Sequence, residues 1–183
     1  MPAGATPDDM PPPGGDENRR PAGQGGGVAT SPASPPGRNA APGLTLSVVV
    51  PPQTVQVTDS VTVEVAAVST AGVVDAPLHL VYDQARLRFL EASEGDYMNR
   101  DGGATVFLVN GHSRPGDVVI GIGRSDRSSG ALGRGTLCRV RFEALAPGTA
   151  TLSIGPAMAW AVDGSLLPVA TNTAEIRISG QAP

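Results

Sequence analysis

Between Leu137 and Ile154 the chain alternates in polarity with a period of two residues, turns, and alternates again. Cys138, Val140, Phe142 and Ala144 fall on one face, while Leu137, Arg139, Arg141 and Glu143 fall on the other. That period belongs to a half-buried strand and not to a helix, whose faces repeat every 3.6 residues. Ala146-Pro147-Gly148-Thr149 supplies the turn, with Pro fixing φ and Gly accepting positive φ. Ala150, Leu152 and Ile154 then return on an inward face. The expectation is a β-hairpin whose apolar face another sheet must cover.

The same reading extends through the chain. Leu44–Val50 reads as a first strand closed by Pro51-Pro52, and Thr54–Val57 as a short edge. Val61, Val63 and Val65 alternate with polar or small residues, and Ala71–Asp75 reads as a loop. Leu78–Tyr82 and Leu87–Ala92 follow on either side of an Asp83-Gln84-Ala85 turn. Thr105–Val109 is apolar on both faces, which predicts the interior of a sheet. Val118, Ile120 and Ile122 share a face, with Gly121 and Gly123 leaving room beside them. Short segments at 158–162 and 166–167 and a last strand over 174–178 complete the series. No stretch sustains helical periodicity. About nine short strands separated by turn signals predict an all-β, two-sheet antiparallel sandwich.

Composition divides the chain. Residues 1–43 hold nine Gly, ten Pro and no aromatic residue. Such a segment buries too little apolar surface to offset roughly 1–2 kcal/mol of backbone entropy per ordered residue. It is expected to be a disordered linker or tail, which leaves 44–183 as the folded domain. All thirteen basic residues are Arg, the formal charge is −4, and no basic stripe forms. Nucleic acid is therefore not the expected partner. The lone cysteine, Cys138, excludes an internal disulfide and reads as a small buried hydrophobe. No apolar run reaches the roughly 18 residues of a membrane helix. The N-terminus lacks a charged region followed by an apolar one. The chain is expected to be either intracellular or a piece of a longer polypeptide whose targeting signal lies elsewhere.

Catalytic patterns are missing from the sequence. His79 and His112 have no metal-ligand partner at the usual spacing. There is no Gly-x-Ser-x-Gly elbow. Gly121-Ile122-Gly123-Arg124-Ser125 lacks the lysine and following helix of a phosphate loop. Asp96, Asp101 and Asp163 read as turn formers and not as a calcium loop. No cofactor or metal is expected. Of six aromatic residues, Tyr82, Phe89, Phe107 and Phe142 fit the core pattern. Tyr97 and Trp160 are left as candidates for a sugar-binding platform.

Three stretches in order carry a family resemblance. Val57-Thr58-Asp59-Ser60-Val61-Thr62-Val63-Glu64-Val65 is similar to V-x-V-G-D-x-F-x-V-x-V. Ala76–Phe89, with its Tyr82-Asp83-Gln84 and Leu87-Arg88-Phe89, is similar to l-x-l-x-Y-D-P-x-x-L-x-F. Gly133–Phe142 is similar to G-x-G-x-L-x-x-l-x-F. Together they resemble the cohesin domain, with Thr58 where the family often has Gly and Gln84 where it often has Pro. Glu94–Met98, Asn99–Gly103 and Thr105–Leu108 are similar to the cohesin-like domains at the C-terminal end of some bacterial type II secretion secretins and related envelope proteins. The resemblance implies a nine-stranded jelly roll without catalytic activity, periplasmic, outer-membrane-associated or extracellular. It also implies a protein partner, a dockerin or a secretion or pilus component, gripped on a sheet face, and the domain itself is expected to be monomeric. The face expected to do this is the strand pair carrying His79, Val81, Gly121, Gly123 and Arg124. The alternative is a carbohydrate-binding module for a polysaccharide, built on Tyr97 and Trp160. An enzyme ranks third, because no acid–base or nucleophile constellation converges.

Overall fold

The computed structural model describes residues 43–180. The expected tail therefore lies outside the described residues, Gly43 excepted. Twelve strands and no helix make up the described chain. They are β1 (Leu44–Val49), β2 (Val55–Gln56), β3 (Ser60–Asp75), β4 (Leu78–Tyr82), β5 (Leu87–Glu94) and β6 (Thr105–Asn110). They continue as β7 (Asp117–Arg124), β8 (Ala131–Ala144), β9 (Gly148–Ala157), β10 (Trp160–Ala161), β11 (Val169–Thr171) and β12 (Thr173–Ser179). Nine have five or more residues, and β2, β10 and β11 are two- or three-residue additions.

Pairing arranges them in two layers of one curled sheet. The first runs β5-β8-β3-β1-β11, with β10 beside the end of β3. The second runs β6-β7-β4-β9-β12-β2. A single pairing, Asp75 with Gly123, joins the layers along one side. Their inner faces meet in one apolar cluster around Phe142, whose ring lies 4.9 Å from Tyr82 and 6.3 Å from Phe89. Cys138 is part of this cluster, and burial pushes its thiol up to about 12. It is thus an un-ionised, unreactive filler at neutral pH.

Four sequence expectations need correction. The hairpin does not form: β8 pairs with β3 and β5, whereas β9 pairs with β4 and β12. The Pro147-Gly148 turn instead carries the chain from one layer to the other. Alternation identifies a strand's buried side, and that side is the same in a hairpin and in an arch between layers. Thr105–Val109 is not interior, because β6 pairs with β7 alone and forms a sheet edge. Ala71–Asp75 is not a loop but the end of β3, past an irregularity between Ser69 and Val73. Leu137, placed on the solvent face by its spacing, is fully buried. The chain after β5 lies over it, with Gly95 N donating to Leu137 O at 2.9 Å and Tyr97 N to Thr136 O at 2.9 Å. Only glycine fits at 95, since a Cβ there would stand 1.9 Å from Thr136 O.

The turn before β3 holds a conformational penalty. Thr58 has φ of 78°, the left-handed region that β-branched residues avoid. Its N–H donates to Ala144 O at 2.8 Å, and Asp59 N donates to Gln56 O at 3.0 Å, so the turn is fixed from both sides. Left-handed backbone costs an L-residue about 1–2 kcal/mol relative to its preferred region. Thr58→Gly is expected to stabilise the domain by about 1 kcal/mol, after allowing for glycine's larger entropy loss. Denaturant unfolding measures this, and a destabilised variant would contradict the reading.

Candidate interaction face

The two layers present different surfaces to solvent. On the first, arginines and glutamates of neighbouring strands neutralise one another. Arg88 pairs with Glu143, Arg139 with Glu64 at 2.9 Å, and Arg141 with Glu91 at 3.1 Å. Such cross-strand pairs keep their hydration, and the exposed apolar residues of this layer, Val49, Val68 and Leu132, lie outside them.

The second layer has the opposite character. Register puts Val106 beside Gly123 and Leu108 beside Gly121 on one face. His79 beside Val119 and Val81 beside Ser153 continue that face across β4 and β9. Leu108 is 66% exposed, Val106 49%, Val81 39% and Val119 38%. At Gly121 the nearest atom to an added Cβ would be Leu108 Cβ at 3.7 Å, so a side chain would fit there. The glycine instead leaves a shallow hollow of about 300 Å³, walled by Val106 and Leu108 and rimmed by Asp75 and Arg127. A second, apolar notch of about 100 Å³ lies between Pro77, Val119, Pro156 and Met158. Charged groups flank the apolar side chains and one pair, His79 with Asp117, lies on the face itself. Asp75 pairs with Arg127 at 3.5 Å, and His79 Nδ1 lies 3.0 Å from Asp117, which also has Arg114 at 3.8 Å.

Of the five residues expected on this face, His79, Val81, Gly121 and Gly123 lie on it. Arg124 does not. Alternation along β7 sends Val118, Ile120, Ile122 and Arg124 inward, and the Arg124 side chain is only 4% exposed. Its guanidinium donates to both Asp101 carboxylate oxygens at 2.8 Å, to Met98 O at 3.1 Å and to Ser129 Oγ at 3.3 Å. It fastens the loops that follow β5 and β7 and so holds up the end of the face from behind. Val106 and Leu108 escape the sequence reading because 105–109 reads as interior, and Val119 because its strand is read through Val118, Ile120 and Ile122. The signal for Val106 and Leu108 is apolar residues set opposite glycines in a neighbouring strand.

The sugar platform does not assemble. Tyr97 is fully buried, its hydroxyl donating to Ala131 O at 3.2 Å, and burial pushes its phenol above the usual value. Gly95 lets the loop close over β8, which draws the Tyr97 ring inward. Trp160 is half-buried on β10, beside the end of β3 and bridged to Leu166. His112 packs edge-on against Phe89 at 5.1 Å. Among the described residues no group of three or more His, Cys, Asp or Glu side chains is placed to hold a metal.

No protein-family model and no curated relative matches the sequence. Solved structures do match. A cohesin module from a Clostridium perfringens family 33 glycoside hydrolase has a TM-score of 0.64 at 14% identity, covering 77% of this chain and 100% of the module. The sixth cohesin of Acetivibrio cellulolyticus scaffoldin B, solved in complex with a Cel5 dockerin, has a TM-score of 0.61 at 20% identity, covering 75% and 99%. A non-cellulosomal cohesin from the archaeon Archaeoglobus fulgidus has a TM-score of 0.58 at 20% identity, covering 74% and 91%. The chain has the cohesin fold.

The loop anchor within this cohesin-like domain gives a pH prediction. The Arg124 guanidinium beside Asp101 holds its carboxyl below the ordinary 3.8. An acid depressed in the folded state adds stability above its unfolded pKa and loses it as pH falls through the folded value. Asp101→Asn is therefore expected to lower the melting temperature at pH 7. It should also flatten the loss of stability below about pH 4, where unfolded aspartates titrate. Thermal melts from pH 2 to pH 7 measure both, and a variant that follows the parent throughout would contradict the anchor.

Proposed function

We propose that this chain is a non-catalytic binding module that holds a protein partner on the outer face of the second layer. The observation that carries this reading is the contrast between the faces. One is neutralised by its own ion pairs, and the other offers apolar side chains around a glycine-floored hollow that Asp75 and Arg127 rim. A patch of that kind is the ordinary makings of a protein interface. The fold likeness supports it, since one of the cohesins named above was solved with a dockerin bound.

The finer reading places the module in a bacterial cell envelope or secreted system, with a dockerin-like domain or a secretion or pilus component as its partner. The Pro/Gly-rich residues 1–43 serve as a tether that keeps the module close to its neighbour and raises its effective concentration. Titrating purified dockerin modules and secretion components against the immobilised chain tests this. Leu108→Arg and Val119→Arg are each expected to weaken the interaction by about 30-fold or more, the scale of losing one hot-spot residue. Arg139→Ala, on the ion-paired face, should leave it unchanged. Binding that survives both arginine substitutions, or that fails with Arg139→Ala, would move the site elsewhere.

A further inference from the structure

Each layer ends in edge strands, and they are unequally protected. β5 carries Arg88, Glu91 and Glu94 and a register irregularity between Phe89 and Glu91. At the far edges, β2 and β11 have two and three residues. These are the usual devices against edge-to-edge pairing: charge, bulge and brevity. β6 has none of them. Thr-Val-Phe-Leu-Val-Asn runs six residues without a charge, a proline or a bulge and pairs on one side only. Among the described residues, no loop or turn bonds to the backbone of 105–110 from its other side. A row of unmet backbone donors and acceptors beside apolar side chains is a template for another strand.

We propose that β6 is a self-association edge, at which two copies of this chain pair antiparallel about a twofold axis and continue the second layer across the join. An isologous contact requires a patch complementary to itself, and β6 meets that requirement in two ways. The strand is uncharged, so no like charges are brought face to face. The pleat admits only registers that keep outward residues on the same side. With Phe107 on the axis, Val106 lies opposite Leu108 of the second copy, and the pair occurs twice.

Sedimentation equilibrium on the full chain, with no partner present, tests the pairing separately from the binding face. The parent is expected to be a concentration-dependent dimer. Val106→Lys and Leu108→Glu each place an unmatched charge against an apolar neighbour, and each is expected to weaken dimerisation at least about tenfold. Both sites are exposed, and circular dichroism checks that the variants fold. An equimolar mixture sets one lysine opposite one glutamate and restores one native pair, so the mixture should dimerise more tightly than either variant alone. A parent that stays monomeric to its solubility limit would overturn the proposal. So would a mixture no tighter than its components, and so would a monomer whose β6 edge takes up an extended segment of another protein.

Discussion

Everything in this molecule depends on two inner faces being closed against each other. Val63, Val65, Val140, Phe142 and Cys138 on one layer, with Leu80, Ile120, Leu152 and Ile176 on the other, lie in one apolar cluster. Because side chains in a strand point alternately to opposite sides, committing one set inward commits its neighbours outward. The outer surfaces are thus fixed by the demands of the core. What varies is the chemistry placed there.

The two layers use that freedom differently. β3, β5 and β8 put arginine and glutamate outward in opposed pairs. β4, β6 and β7 put valine, leucine and glycine outward. The first choice makes a surface that water already satisfies. The second makes one that gains by being covered, and glycine at 121 lets whatever covers it approach the backbone. Arg124 links core and face. Buried behind β7, it bonds the loops on either side of the sheet end, so the margin of the apolar face is held by a charge that never reaches it.

Much of this was legible in the sequence, and the failures share a cause. Period-two alternation located the longer strands and the buried sides of most, and it excluded helices. Alternation cannot say which strand lies beside which. β8 and β9 look like a hairpin because both have a buried face and a proline–glycine turn between them, yet they belong to different layers. β6 looks central because both faces are apolar, yet it is an edge with one face open. Grouping Arg124 with Gly121 and Gly123 set aside the alternation itself, which places it inward. Tyr97 was legible only through Gly95, whose missing side chain lets the loop close over β8. In each case a long-range contact decided what local pattern left open.

Amide hydrogen exchange on the chain with and without a bound protein partner tests the central claim most directly. If the second layer is the working surface, protection on binding will gather in residues 78–82, 105–110 and 117–124 and leave β3 and β8 as they were. Protection centred on 60–68 and 139–143, the ion-paired side, would contradict the account.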